Sequence, residues 1–312
     1  MGNMSVITVF TLSGFGDITD YRVPVFSVTL LCYCVIVLVN VTVIMTIIFN
    51  RIFHVPMYIF LCNLCINGLF GTAGFYPKFL TDLQSRLQVI SYAACLFQAF
   101  FIYSSVCIDL CLLAVMAYDW FVAICRPLQY HSVMTKQRVA QLVSFSWIAP
   151  FGLTAGAIIF TSQIRLCGSH IQKLYCANWL VAKLSCDATS WVTSSTPTNV
   201  VAYVTILFYI FLAIFIVCSY MQLIRSCFKS LENRGKFMST CLPHLFALFN
   251  ISIAALFDVL HMRYGSNDLP QSLQNFLAVE ILIGPPLFNP LIYGLTLTQI
   301  RNKILCRCLK RK

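Results

Sequence analysis

Charged side chains are scarce in this sequence, and long stretches have almost none. Only 10% of the 312 residues are Asp, Glu, Lys or Arg, whereas a soluble domain has about 25%. Seven apolar segments, each about long enough for a helix to cross a bilayer, lie at 23–50, 55–77, 87–118, 139–164, 196–224, 237–262 and 270–296. Because lipid offers the backbone no hydrogen-bond partners, such segments must be helical. The sequence predicts an all-α membrane protein, a seven-transmembrane helix bundle.

Motifs that define other classes of protein are also missing. The first 21 residues lack a basic segment followed by an apolar one, so we predict no cleaved signal peptide. Neither inverted repeats nor matched broken helices, which are typical of transporters, are evident. Without a nucleophile–base motif, metal-ligand cluster or phosphate loop, we predict that the protein is not an enzyme and needs no cofactor or metal. The segment 270–296 has no lysine, which excludes a retinal Schiff base.

Lysine and arginine are distributed unevenly along the chain. With the N-terminus outside, fourteen of the 21 basic residues fall in cytoplasmic segments, where only Asp119 and Glu232 are acidic. This pattern predicts the orientation and places most of the +11 net charge beside anionic inner-leaflet lipid. Binding of nucleic acid would require a basic face exposed to water, and the charge pattern contains none, so we predict no nucleic-acid partner. We predict an extracellular tail at 1–22, a seven-transmembrane domain at 23–296 and a cytoplasmic tail at 297–312.

Four of the sixteen cysteines lie on or near the predicted outer side, namely Cys95, Cys167, Cys176 and Cys186. An even number of cysteines in an oxidising compartment predicts two disulfides. Asn3 begins an Asn-Met-Ser sequence on the outer tail, which is an acceptor for N-glycosylation.

The cytoplasmic tail alternates apolar and basic residues. Ile300, Ile304 and Leu305 fit a short amphipathic helix lying on the inner leaflet. Cys306 and Cys308 follow it, and they are either palmitoylation sites or plain juxtamembrane thiols.

Three ionisable residues at or near membrane depth are candidates for function, since such groups are costly in lipid. Asp109 in the third segment and Glu280 in the seventh are either parts of a polar switch, such as a sodium site, or neutral structural acids. Arg263 near the outer end of the sixth either binds a ligand carboxylate bidentately or reaches headgroups, Asp258 or Asp268.

Five motifs in the correct order, each at a helix end, resemble the odorant receptors of the rhodopsin-like G-protein-coupled receptor class. The motifs are Pro56–Leu61, Met116–Tyr130, Ser219–Tyr220, Lys236–His244 and Pro285–Tyr293. The resemblance spans nearly the whole chain. The sequence His261–Gly265 is similar to the fish-like branch of this family, which detects water-soluble odorants.

The resemblance implies a receptor that binds a small odorant and activates a heterotrimeric G protein of the olfactory stimulatory type. It implies a multi-pass protein of the plasma membrane, in the cilia of sensory neurons. It pairs Cys95 with Cys176 and Cys167 with Cys186, so that both bridges hold a lid over the outer mouth.

Family positions also imply a ligand site and a switch. The ligand-binding residues would be Ile102, Tyr103, Val106, Cys107, Asn178, Val204, Thr205, Phe208, Ala255, Val259, Arg263 and Leu282. The switch and coupling residues would be Asp109, Asp119, Trp120, Tyr220, Lys236, Asn289, Pro290 and Tyr293. The outer half of the third segment has no acid, which disfavours a biogenic amine as ligand.

Two departures from the family pattern bear on signalling. Trp120 stands where the family usually has arginine, so Asp119 should lose its ionic partner. Weakened coupling, high basal activity and a non-signalling receptor are the alternatives. The helix-two aspartate of the family is replaced by Asn67-Gly68, and we expect Asp109 to carry the polar core together with Asn67.

Overall fold

The computed structural model describes residues 8–14, 21–85, 87–186, 197–228, 245–255, 271–296 and 299–303. Within these ranges the helices are α1 Arg22–Ile48, α2 Pro56–Gln84, α3 Tyr92–Cys125, α4 Tyr130–Val133, α5 Lys136–Ser162, α6 Asn178–Lys183, α7 Pro197–Phe228, α8 Leu245–Ala255 and α9 Gln271–Thr296. Two 3-10 turns, Arg51–Phe53 and Pro127–Gln129, lie between helices.

Six of the described helices are long and apolar enough to cross a membrane, namely α1, α2, α3, α5, α7 and α9. The shorter apolar helix α8 falls within the sixth predicted segment. The seven-helix architecture is therefore confirmed. Two helices run past the predicted ends: α2 continues through Pro77 to Gln84, and α3 continues to Cys125. A proline inside a transmembrane helix is tolerated because neighbouring helices and side chains satisfy the freed backbone groups.

Helix α3 forms the centre of the bundle and packs against α2, α5 and α7. Its side chains are buried over most of its length, whereas the apolar side chains Leu31, Leu38 and Ile148 of the peripheral helices α1 and α5 are more than 60% exposed. Such surfaces suit contact with lipid rather than water. The residues 299–303 are helical, and Ile300 is fully buried against the core of the bundle. Contact of the tail with the inner leaflet stays a prediction.

A small β-sheet, which the sequence did not predict, covers the end of the bundle that carries the N-terminus. Its strands are β1 Val9–Leu12, β2 Val89–Ser91 and β3 His170–Ile171, with β1 in the middle. Strand β1 pairs antiparallel with β2 and parallel with β3. The structure contains both disulfides that the family resemblance implies, Cys95–Cys176 and Cys167–Cys186. The first of them ties the loop after α5 to the start of α3.

Candidate functional site

An apolar cluster lies beneath the sheet, between α3, α9 and the loop that precedes α6. Ile102 and Val106 of α3 and Leu282 of α9 are buried in it. Leu174 and Tyr175 of the loop pack against the same cluster, directly before the disulfide cysteine Cys176. The loop therefore closes this apolar region on its outer side.

The described pocket residues predicted from the sequence are only partly brought together. Tyr103 and Ala255 pack at the edge of the cluster that contains Ile102, Val106 and Leu282. Phe208 packs against the larger core cluster, which contains Trp120 and Tyr220, and Val204 is 46% exposed. Thr205 and Asn178 are half-buried, and the Asn178 side-chain oxygen is buried with no hydrogen-bond partner among the described residues. Ligand contact by these residues stays a prediction.

A hydrogen bond joins α3 to α7 beside this cluster. The Cys107 Sγ and the Tyr209 hydroxyl lie 2.6 Å apart, and Cys107 is 2% exposed. The sequence singled out Cys107 but missed Tyr209, although it named the neighbouring Phe208. The pair places a thiol and a hydroxyl beside the apolar cluster.

A chain of polar side chains crosses the middle of the bundle. Asn67 Nδ2 donates to Asp109 Oδ1 and to the Ser105 carbonyl, each at 2.8 Å. Asn40 Nδ2 donates to the Pro286 carbonyl at 2.8 Å, which links α1 to α9. The expectation that Asn67 and Asp109 share the polar core is confirmed. A Cβ added at Gly68 would lie 3.3 Å from Asn40 Oδ1, so a larger side chain would crowd this point.

Replacing Asn67 by leucine should destabilise the folded receptor by roughly 2–3 kcal/mol, because it leaves the Asp109 carboxyl buried without its donor. Thermal unfolding of purified protein in lipid nanodiscs measures the loss. The double variant Asn67→Leu with Asp109→Leu is the control, since removing both partners costs less than removing one. If the double variant is less stable than the single one, the hydrogen bond is not the source of the effect.

A second polar pair joins α8 to α9. The Glu280 carboxylate accepts a hydrogen bond from the Asn250 side chain. A Cβ added at Gly284 would overlap the present position of the Glu280 carboxylate, so a larger residue there would require that side chain to shift. The sequence identified Glu280 but missed Asn250 and Gly284, since they are informative only once the two helices are placed side by side.

The acid near the C-terminal end of α3 has a hydrogen-bond partner on α4. Asp119 is 3% exposed, and its Oδ1 accepts a hydrogen bond from the Tyr130 hydroxyl of α4 at 2.9 Å. Asp119 therefore has a neutral hydrogen-bond donor, which the sequence analysis did not identify, in addition to the predicted loss of an ionic partner. Burial, and secondly the Asp119 carboxylate, raise the pKa of the Tyr130 hydroxyl, which therefore stays protonated as the donor.

Trp120 turns towards the bundle core. Its indole is 9% exposed, and Nε1 is buried with no hydrogen-bond partner among the described residues. It belongs to the same apolar core cluster as Tyr220 of α7 and Tyr293 of α9. A bulky apolar group thus occupies the position at which the family pattern has a cation.

The remaining predicted switch residues are buried where the structure describes them. Asn289 is 5% exposed and Tyr293 is 3% exposed, and both lie beside Pro290 in α9. Several predicted residues lie outside the described ranges, namely Asn3, Lys236, Val259, Arg263, Cys306 and Cys308.

Comparisons with known proteins agree on one family. A family profile described as olfactory receptor matches residues 29–312. Olfactory receptor 1D2 of Pan troglodytes is 33% identical over 97% of this chain and 93% of that protein. Human olfactory receptor 11H4 is 32% identical over 96% of this chain and 89% of that protein. The crystal structure of squid rhodopsin is similar in fold, with a TM-score of 0.72, 15% identity, and coverage of 92% of this chain and 85% of that one.

Proposed function

The chain belongs to the olfactory receptor family, and on this premise we propose that it binds a small water-soluble odorant and activates a heterotrimeric G protein of the olfactory stimulatory type. Its relatives are receptors, which confirms the prediction that the protein is not an enzyme. Its apolar helices make it a multi-pass membrane protein. The plasma membrane of sensory-neuron cilia is the location that we propose within that class.

The closed apolar cluster beneath the outer loop is the observation that carries this proposal. Ile102, Val106 and Leu282 belong to it, and Tyr175 of the loop before α6 packs in the same cluster. Small-molecule sites are mostly apolar with a few placed polar groups, and Cys107, Tyr209 and Asn178 supply such groups nearby. A compact ligand with one polar end fits this chemistry.

We further propose that the ligand is anionic or strongly polar, because the sequence places Arg263 near the outer end of the sixth segment. A guanidinium binds a carboxylate bidentately, which gives both affinity and orientation. The absence of an acid from the outer half of α3 in the sequence disfavours cationic amines.

The orientation is part of the same proposal. Residues 1–22 would lie outside, with Asn3 available for glycosylation, and residues 297–312 would contact the inner leaflet through their basic side chains. Ligand then enters from the side that carries the sheet, and the G protein binds at the ends of α3, α7 and α8. Ligand binding shifts the populations of two packings only by its differential affinity for them.

A second candidate function is favoured by the environment of Trp120. The residue is buried and apolar where the family pattern has arginine. The protein would then be a folded receptor that binds odorant but couples poorly or not at all.

Odorant-evoked cAMP in cells tests the proposal. Wild type, Val106→Trp and Arg263→Ala are compared at matched surface level, with a panel of water-soluble carboxylates, alcohols and amines. We expect carboxylates to act on wild type, Val106→Trp to be silent because its side chain fills the cluster, and Arg263→Ala to lose the carboxylate response. Equal carboxylate responses of wild type and Arg263→Ala would contradict an anionic ligand. A response only after Trp120→Arg would support the second candidate.

A further inference from the structure

The described segment 8–14, ahead of the first transmembrane helix, is built into the cover of the bundle. Thr11 N donates to the Ser169 carbonyl at 2.8 Å, and Ser13 N donates to the Ile171 carbonyl at 3.0 Å. On the other side, Leu12 N donates to the Gln88 carbonyl at 2.9 Å. The strand thus connects the loop before α3 to the long loop after α5.

Side chains of the strand pack onto the disulfide below it. Phe10 is fully buried and Leu12 is 3% exposed, in a cluster with Cys95 and Cys176. Burial of these apolar side chains against the disulfide stabilises the strand in its place. The segment is therefore held by packing as well as by backbone hydrogen bonds.

At its end the segment approaches the loop that closes the apolar cluster. A Cβ added at Gly14 would lie 2.4 Å from the Leu174 nitrogen, so the two backbones come as close as only glycine allows. Asn275 Nδ2 of α9 donates to the Gly14 carbonyl. Residues 8–14 are therefore fastened to both loops and to α9, the helix that provides Leu282 to the cluster.

We propose that residues 8–14 act as a strap that determines which ligands reach the apolar cluster. The strap is hydrogen-bonded to the segment 169–174, and Leu174 and Tyr175 cover the cluster. Entry of a ligand from the outer side therefore requires the strap and this segment to move away together. Large ligands need a wider opening than small ones, so the strap selects for compact molecules. The inference rests on the proposed location of the ligand site, but it concerns entry and not signalling.

Reaction of Cys107 with a charged, membrane-impermeant methanethiosulfonate measures this opening without odorant or G protein. The Cys107 thiolate attacks the reagent sulfur, a mixed disulfide forms and methanesulfinate leaves. The receptor is used at full length in nanodiscs, and labelling is followed by peptide mass. The same peptides from Cys107→Ser identify the signal that belongs to Cys107.

Two variants loosen the strap at different points. Thr11→Pro removes the N–H that bonds the Ser169 carbonyl and also the hydroxyl that contacts this carbonyl and His170 Nδ1, whereas Asn275→Leu removes only the donor to the Gly14 carbonyl. Loss of one hydrogen bond changes an opening equilibrium by about tenfold, so Cys107 should be labelled about tenfold faster in Asn275→Leu and faster still in Thr11→Pro. Val9→Thr is the matched control, since Val9 lies on the same strand but is 45% exposed, and it should label like wild type.

Cys65 reports on general unfolding, because it is 1% exposed in the core of the bundle. Faster labelling of Cys107 with Cys65 unchanged supports the strap. Labelling of Cys107 at the wild-type rate in Asn275→Leu, with folding intact, would overturn it. If Thr11→Pro does not fold, Asn275→Leu decides alone. A receptor silent towards every odorant would count against the proposed function and leave the labelling result standing.

Discussion

Replacing Trp120 by arginine should raise odorant-evoked cAMP about tenfold at matched surface expression, which corresponds to a shift of ~1.4 kcal/mol between the two packings. The indole is buried among residues of α3, α7 and α9, and it stabilises the packing in which it is covered. Any movement that opens the cytoplasmic end exposes this apolar surface to water, at a cost of up to about 1.5–3 kcal/mol. Arginine removes that cost.

The substitution also restores a charge where the family resemblance expects one. A guanidinium beside Asp119 can bond the carboxylate in the resting packing and turn outward in the active one. In the present chain the Tyr130 hydroxyl holds Asp119 instead. Because that bond joins α3 to α4, the arginine variant must compete with the tyrosine for the carboxylate.

Trp120→Phe is the matched control for this experiment. It keeps an apolar ring at the position but adds no charge, so we expect a response close to that of wild type. Dose–response curves with the same odorant measure all three proteins. A wild-type response equal to or above that of Trp120→Arg would show that the indole does not restrain coupling.

Removing the Cys95–Cys176 disulfide should nearly abolish folded receptor at the cell surface. The bond closes a loop of 81 residues, and cross-links of this span stabilise a protein by about 4 kcal/mol. That amount is a large part of the stability of a typical domain. Phe10 and Leu12 of the outer sheet pack in the same cluster as this disulfide, so its removal would also weaken their packing.

The second disulfide provides the comparison. Cys167–Cys186 spans only 19 residues, so its removal should cost less, about 3 kcal/mol. Surface immunostaining and thermal unfolding of Cys95→Ser with Cys176→Ser, set against Cys167→Ser with Cys186→Ser, rank the two bonds. An equal surface level for both pairs would mean that loop span does not govern their contributions.

The helices were predictable because lipid leaves an apolar segment no other way to satisfy its backbone. The Asn67–Asp109 contact was predictable too, since an acid at membrane depth needs a polar neighbour and the family aspartate is missing from α2. The first inference depends on the membrane environment alone, whereas the second also depends on the family resemblance.

Other features depend on that arrangement and could not be predicted. Strand β1 has four residues, and its partners lie far along the chain, so its alternation gives no signal by itself. The Asn250–Glu280 bond requires that α8 and α9 face each other at one height, with Gly284 leaving space. Tyr130 belongs to a sequence motif, whereas its role as donor to Asp119 depends on how α4 folds back.

The central position of β1 has a consequence for biosynthesis. The ribosome makes this strand first, yet Ser169, which accepts its hydrogen bond, is made 158 residues later. Until then the edge of β1 that pairs with β3 has no partner, and unpaired edges invite wrong pairing. The sheet is therefore begun by residues made ahead of the first helix and finished only after the four long helices α1, α2, α3 and α5 have been made, so arrest of synthesis before that point leaves a chain that cannot assemble its cover.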